Sequence, residues 1–226
     1  MDFLNIDTAS PETVKESFTK IAEMLFNDYQ LQVNDNFYRL IDIEFYYHSL
    51  SVHEDVYTHG EDVQSQKGKW YFHNSGIDIT IGNGKDHGGI LIRAIAKLHG
   101  EATYATNYIQ KEIHGPINVS DELLKNFNGP FDNKPNIFQL NNISQSETKS
   151  KMVAPKLIAS SKRIGLKLNI KDKDGLFMNS DYRYVVFWDN HNLKYKNREA
   201  IVSSLLSNKK IEMDFANKIL NYTIKK

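Results

Sequence analysis

Cysteine is absent from this sequence, which removes disulfides, thiolate zinc sites and cysteine nucleophiles from consideration. No apolar run approaches the ~18 residues needed to cross a bilayer. The opening Met1-Asp-Phe-Leu-Asn5 has neither the basic start nor the apolar stretch of a secretory signal. A cytoplasmic protein with no membrane partner is expected. Net charge is absent too, since 28 Lys and Arg balance 28 Asp and Glu. That neither demands nor forbids nucleic acid, because local charge distribution outweighs the sum. The sequence also lacks a His-Glu-x-x-His metal motif and a Gly-x-Ser-x-Gly nucleophile elbow. Its glycine clusters, Gly82-Asn-Gly84 and Gly88-Gly89, fit neither a dinucleotide loop nor a nucleotide-triphosphate loop, and the Asn-Gly pair reads as a tight hairpin.

What is present suits an ordinary globular chain. Of 226 residues 40% are hydrophobic and 25% charged, enough for one core and a single domain over 1–226. Ser10-Pro11-Glu12 starts a helix, with Ser10 as N-cap and Val14, Phe18, Ile21 and Leu25 at helical spacing to about Asn27. Phe37 to Tyr47 reads as a strand with Ile41, Ile43, Phe45 and Tyr47 on one face and Asp42, Glu44 and Tyr46 on the other. His48 to Lys69 reads as a long polar loop. Lys69 to Ile81 reads as one strand, or as two broken near Asn74-Ser75-Gly76. Ile90 to Ala96 is the returning strand. His99 to Asn126 is expected to be helical, broken at Gly115-Pro116, with a short helix from Val119 to Phe127. Residues 128–152 form a polar surface excursion. A strand or irregular segment is expected over Val153 to Leu168, a strand over Tyr182 to Asp189, and a terminal helix over Phe215 to Ile224. The locally basic stretch Lys149 to Lys173 is a solvated surface or a phosphate-facing patch.

Two charges sit where charge is costly. Glu44 lies within Leu40-Ile-Asp-Ile-Glu44-Phe-Tyr46-Tyr, and Arg93 within Gly88-Gly-Ile-Leu-Ile-Arg93-Ala-Ile. A carboxylate or guanidinium in an apolar strand must be paired or used. An arginine beside Glu44 holds the carboxylate ionised, and an ionised carboxylate can activate water as a general base. Spacing alone leaves a structural ion pair equally open. The aromatic residues tip the balance: Tyr46 shares the Glu44 face, Phe72 lies in the next strand, and His59 in the loop between. Flat walls around a carboxylate and an arginine suit a planar ligand, such as a nucleobase turned out of its stack. His48, His53, His59 and His73, with Glu54 and Asp55, could supply metal ligands, but they read better as loop and surface histidines, so no metal and no cofactor are expected.

The order of these residues resembles the alkyladenine (mammalian-type 3-methyladenine) DNA glycosylase family. That family's Glu-x-Glu-Ala-Tyr, Ala-Ser-His, Gly-x-x-Tyr-Val-Tyr-x-x-Tyr-Gly-Met and Val-Leu-Ile-Arg-Ala are matched by Asp42-Ile-Glu44-Phe-Tyr46, Tyr57-Thr-His59, Gly68-Lys-Trp-Tyr-Phe72-His-Asn-Ser75-Gly-Ile and Ile90-Leu-Ile-Arg93-Ala. Ser161-Lys-Arg163-Ile-Gly165 approaches its Ser-Pro-Arg-Ile-Gly, and Tyr182-Arg-Tyr-Val approaches a Trp-Arg-Phe-Tyr-like strand. The resemblance implies an α+β fold with a curved, largely antiparallel sheet flanked by helices. It implies that Glu44 deprotonates a water attacking C1′ of deoxyribose and that Arg93 helps hold that water. Tyr46 and His59 would form one wall of the base pocket and Phe72 the other. The partner implied is DNA, duplex with a flipped base or single strand, bound by a monomer, with Lys162 and Arg163 as candidate phosphate contacts. The family's wedge tyrosine falls on Ser75, leaving His73 and Asn74 as neighbouring wedge candidates. Its pocket asparagine falls on Gly82, where a roomier base pocket is expected. A binding-only homologue, an N-glycosidase acting on free nucleosides, and a histidine-ligated metal enzyme are the competing readings.

Overall fold

The computed structural model describes residues 2–99, 109–143, 157–187 and 198–220. It is a mixed α+β fold in which a curled antiparallel sheet packs against helices. Helix α1 (Pro11–Asp28) begins as its sequence dictates. The Ser10 side chain accepts from the Thr13 N–H, Thr13 Oγ1 accepts from the Ser10 N–H, and Pro11 occupies the first turn. Its buried stripe is Val14, Phe18, Ile21 and Leu25, joined by Ala22 and Phe26.

The strands are β1 (Tyr29–Val33), β2 (Asn36–Ser49), β3 (His53–Glu54), β4 (Lys67–His73), β5 (Gly76–Ile81), β6 (His87–Leu98), β7 (Ile109–His114), β8 (Phe138–Asn142), β9 (Leu157–Ser161) and β10 (Arg183–Phe187). Three further helices are α2 (Pro116–Leu124), α3 (Arg198–Ser207) and α4 (Met213–Leu220). The main path runs β4-β5-β6-β2-β1-β8, with β10, β3 and β7 as branches and β9 beyond β10. Strand β2 is the spine. One edge is paired along its length with β6, and the other meets β1, β10 and β3 in succession.

The pleat of β2 sorts its residues as the alternation requires. Phe45 faces the core, where its ring stacks on Phe18 of α1 with centroids 4.6 Å apart. Tyr182 meets Phe18 edge-on at 5.1 Å. The opposite face carries one continuous row across six strands: Ser161, Arg183, Glu44, Leu91, Asp78 and Tyr71 are successive cross-strand partners. The sheet's polar chemistry is therefore gathered in one line on the face away from α1.

Several expectations are corrected. The stretch from Ile109 to His114, expected to be helical, is strand β7, and the helix begins at Pro116 once Gly115 has turned the chain with φ 96°. Alternating Ile109, Lys111 and Ile113 pair with β6, and tertiary pairing overrides local propensity there. The polar loop after β2 contains β3 and a 3-10 turn over Asp62–Ser65, and the polar excursion contains β8, which pairs with β1. Asn74 and Ser75 are the two-residue turn between β4 and β5. Parts of five expected segments lie outside the described residues, at 100–108, 144–152, 153–156, 188–189 and 221–224.

Phe18 is fully buried between α1 and the spine. Phe18→Ala is expected to cost about 3–5 kcal/mol, read as a shift of the urea unfolding midpoint with an unchanged slope.

Candidate active site

Glu44 is completely buried at the centre of the polar row, and three donors converge on it. Its Oε2 accepts from the Tyr46 hydroxyl at 2.9 Å and from Arg93 Nη1 at 3.2 Å, and its Oε1 accepts from the Ile164 N–H at 2.7 Å. Arg93 reaches this position through a register shift: opposite Asp42 and Ile43, β6 carries one extra residue. A bulge of this kind re-aims a side chain. Arg93 Nε is buried with no partner among the described residues.

Burial is the strongest influence on Glu44 and pushes its carboxyl above the ordinary carboxylate range. Arg93 pulls it back, Asp42 adds to the rise, and the Ile164 N–H and Tyr46 hydroxyl lower it. The expectation that the arginine beside it holds Glu44 ionised meets an opposing effect. Desolvation of the charged form outweighs the guanidinium. Burial also drives the Tyr46 phenol far up, with Glu44 adding to it, so Tyr46 stays a protonated donor.

Above this cluster lies a cavity of about 420 Å³, within the range that holds a small organic ligand. Tyr46, Arg93 and Ile164 line it together with His59, His73, Asn74, Ser75 and Asp78. The predicted Arg93, Tyr46 and His59 line the cavity with His73, Asn74 and Ser75, and Glu44 lies behind that wall, bonded to Tyr46 and Arg93.

Four predicted site residues stand away from the cavity. Phe72 points to the opposite face of β4, half exposed, with its ring 5.9 Å from Phe138. Tyr71 and His73 occupy the pocket side instead, stacked at 4.8 Å, because neighbouring residues of a strand face opposite ways. Gly82 is not a roomy pocket position. Its backbone lies against the 3-10 turn, and an added Cβ would collide with the Gln64 carbonyl. Arg163 is buried and cannot face a phosphate. Its Nη1 donates to Asp55 Oδ2 at 2.6 Å and to the Phe45 carbonyl at 3.0 Å. Its Nη2 donates to Asp55 Oδ1 at 3.1 Å and to the Phe177 carbonyl at 2.9 Å. The guanidinium also lies 4.5 Å from the Tyr46 ring centroid. Lys162 is exposed, and its Nζ donates to Asn179.

Residues that the sequence reading passed over complete the site. Asp78 is buried and its Oδ1 meets His73 Nε2 at 2.9 Å. The Ser75 N–H donates to His73 Nδ1 at 3.3 Å, so Nε2 carries the proton and donates to Asp78. His59 Nδ1 lies 3.2 Å from the Tyr71 hydroxyl. His53 is structural: its Nδ1 donates to the Tyr47 carbonyl, its Nε2 accepts from Tyr182, and burial lowers its pKa. No grouping of three potential metal ligands occurs among the described residues, and no described helix is long and apolar enough to cross a membrane.

No protein-family model matches the chain. It is 28% identical to "Uncharacterized protein L759" of Acanthamoeba polyphaga mimivirus, over 76% of this chain and 87% of that protein.

Two stability tests follow from these charges. Asp55→Ala strands the Arg163 guanidinium without its carboxylate and is expected to cost about 3–5 kcal/mol in chemical unfolding. For Glu44 the sign is set by its raised folded-state pKa. The stabilisation is complete below the unfolded value near 4.5 and is lost as pH rises through the folded value. The unfolding free energy of the wild type minus that of Glu44→Gln should therefore fall from pH 4.5 to pH 8. A flat difference would show that the carboxyl is not raised.

Proposed function

We propose that this protein hydrolyses the N-glycosidic bond of an altered purine in DNA, as a base-excision glycosylase, with Glu44 activating the attacking water. The observation that carries this reading is the buried Glu44 carboxylate held by Tyr46, Arg93 and Ile164 beside a ligand-sized cavity. An ionised carboxylate has about four lone-pair positions. Three accept the donors just named, and the remaining one on Oε1 is where a water proton would be taken. A carboxyl raised toward neutrality is also a better matched general base than an ordinary one. Arg93 would orient the water and offset the charge. Tyr46, Tyr57, His59 and His73 line the cavity and supply the flat and polar walls that a flipped base requires.

A second reading keeps the same chemistry on a smaller substrate, a free nucleoside or nucleotide. It is favoured by a specific observation: the nucleic-acid contacts expected from the sequence are small or already engaged. Ser75 and Asn74 form the hairpin tip, Arg163 is buried on Asp55, and Lys162 is bonded to Asn179.

Oligonucleotides bearing hypoxanthine, ethenoadenine or 7-methylguanine, treated with alkali after incubation, test the first reading, and base release from the matching nucleosides tests the second. Glu44→Gln is expected to lower the rate by about 100- to 10,000-fold, with EDTA having no effect. The wild-type rate should rise with pH along an acid limb lying above 4.5, since burial raises Glu44. Binding without base release from any substrate, or an unchanged rate in Glu44→Gln, would overturn the hydrolytic reading.

A further inference from the structure

The hydrolytic reading leaves one buried carboxylate at the cavity unused. Asp78 is the cross-strand partner of Leu91, which is itself the partner of Glu44. The two carboxylates thus share a sheet face, two strand spacings or roughly 9.5 Å apart. Asp78 is held rather than free to swing. Its Oδ1 accepts from His73 Nε2, and Oδ2 lies against the Cα of Gly89, where an added Cβ would collide with it. Oδ2 takes no donor from the described residues. Oδ2 is not among the buried side-chain atoms left without a partner, so it is open to the cavity that Asp78 lines. A ligand that supplies N–H groups at this end of the cavity would give it the donors it lacks.

We propose that Asp78 reads the far edge of the base and that the pocket selects guanine-type purines, whose N1–H and 2-amino group are adjacent donors. This rests on the reading of the cavity as a base pocket with Glu44 at the sugar end. A carboxylate is an acceptor only and takes two parallel N–H donors in one plane. An adenine-type edge presents a donor beside the N1 lone pair, which the carboxylate repels. A hypoxanthine-type edge presents N1–H alone. The guanine-type edge satisfies both acceptor positions, and His73 fixes the plane of the carboxylate through its Nε2–H.

The test compares two free bases that differ only in the 2-amino group, 7-methylguanine and 7-methylhypoxanthine, by calorimetric titration of the full chain. The wild type is expected to bind 7-methylguanine about 10- to 100-fold more tightly, the worth of a charge-assisted hydrogen bond. Asp78→Asn, which puts an amide donor against the same edge, should bring that ratio to about one or invert it. Equal affinities in the wild type, no binding of either base, or a ratio preserved in Asp78→Asn would overturn the proposal. The wild-type ratio decides even if the variant fails to fold. Excision measured in parallel separates the two ideas. Discrimination between the bases without excision sinks the hydrolytic reading alone. Excision with no preference for the 2-amino group sinks the reading of Asp78 alone.

Discussion

The arrangement around Glu44 depends on the buried pair between Arg163 and Asp55. Arg163 is the second residue of the long irregular connection from β9 to β10, and Asp55 follows β3. Each is anchored to the spine by the other, because Arg163 also donates to the Phe45 carbonyl of β2. The next residue, Ile164, then has its N–H aimed at Glu44 Oε1. The same guanidinium lies over the Tyr46 ring, whose hydroxyl holds Oε2. One cation with no access to solvent thus sets two of the three donors on a carboxylate it does not touch. Charge in a low-dielectric interior is effective at this distance because it is poorly screened, and costly to leave uncompensated for the same reason.

This clarifies why burial, rather than the adjacent arginine, governs Glu44. Arg93 approaches at 3.2 Å with one nitrogen, whereas Arg163 grips Asp55 with two and Arg183 grips Asp42 with two. The two bidentate pairs are closed to solvent and serve the scaffold. Of the single-pronged pair, Arg93 lines the cavity. Geometry separates structural from reactive ion pairs here, although all six residues are charged groups in apolar surroundings.

The sequence made α1 and the two faces of β2 legible because each carries its own local signal, a capping residue with a 3.6-residue stripe and a strict alternation. Glu44 and Arg93 could be singled out because a charge breaking an apolar run needs no partner to be noticed. Asp55 and Arg163 could not be paired in advance: 108 positions separate them, and Arg163 sits in a lysine-rich stretch that reads as surface. Phe72 lies on the face away from the pocket that its neighbours Tyr71 and His73 share, since Tyr71 pairs with Asp78 and Phe72 with Ile77, and only the ladder fixes which face a residue takes. Strand β1 begins at Tyr29, immediately after α1 ends at Asp28, with no glycine or proline to mark the change. Gly82 shows that a missing side chain can mean contact rather than space.

The two ends of the sheet's main path meet through side chains. Trp70 of β4 stacks on Phe138 of β8 at 4.3 Å, and its indole N–H donates to the Phe138 carbonyl. Among the described residues no ladder joins β4 to β8, so each keeps one flank of backbone groups outside the ladders of the sheet's path. Such flanks invite a second chain to add a strand, and natural sheets blunt them with lysine. Strand β4 places Lys67 and Lys69 there, on either side of Gly68. The aromatic seam thus leaves the protein a solubility problem that the opening residues of β4 answer with charge.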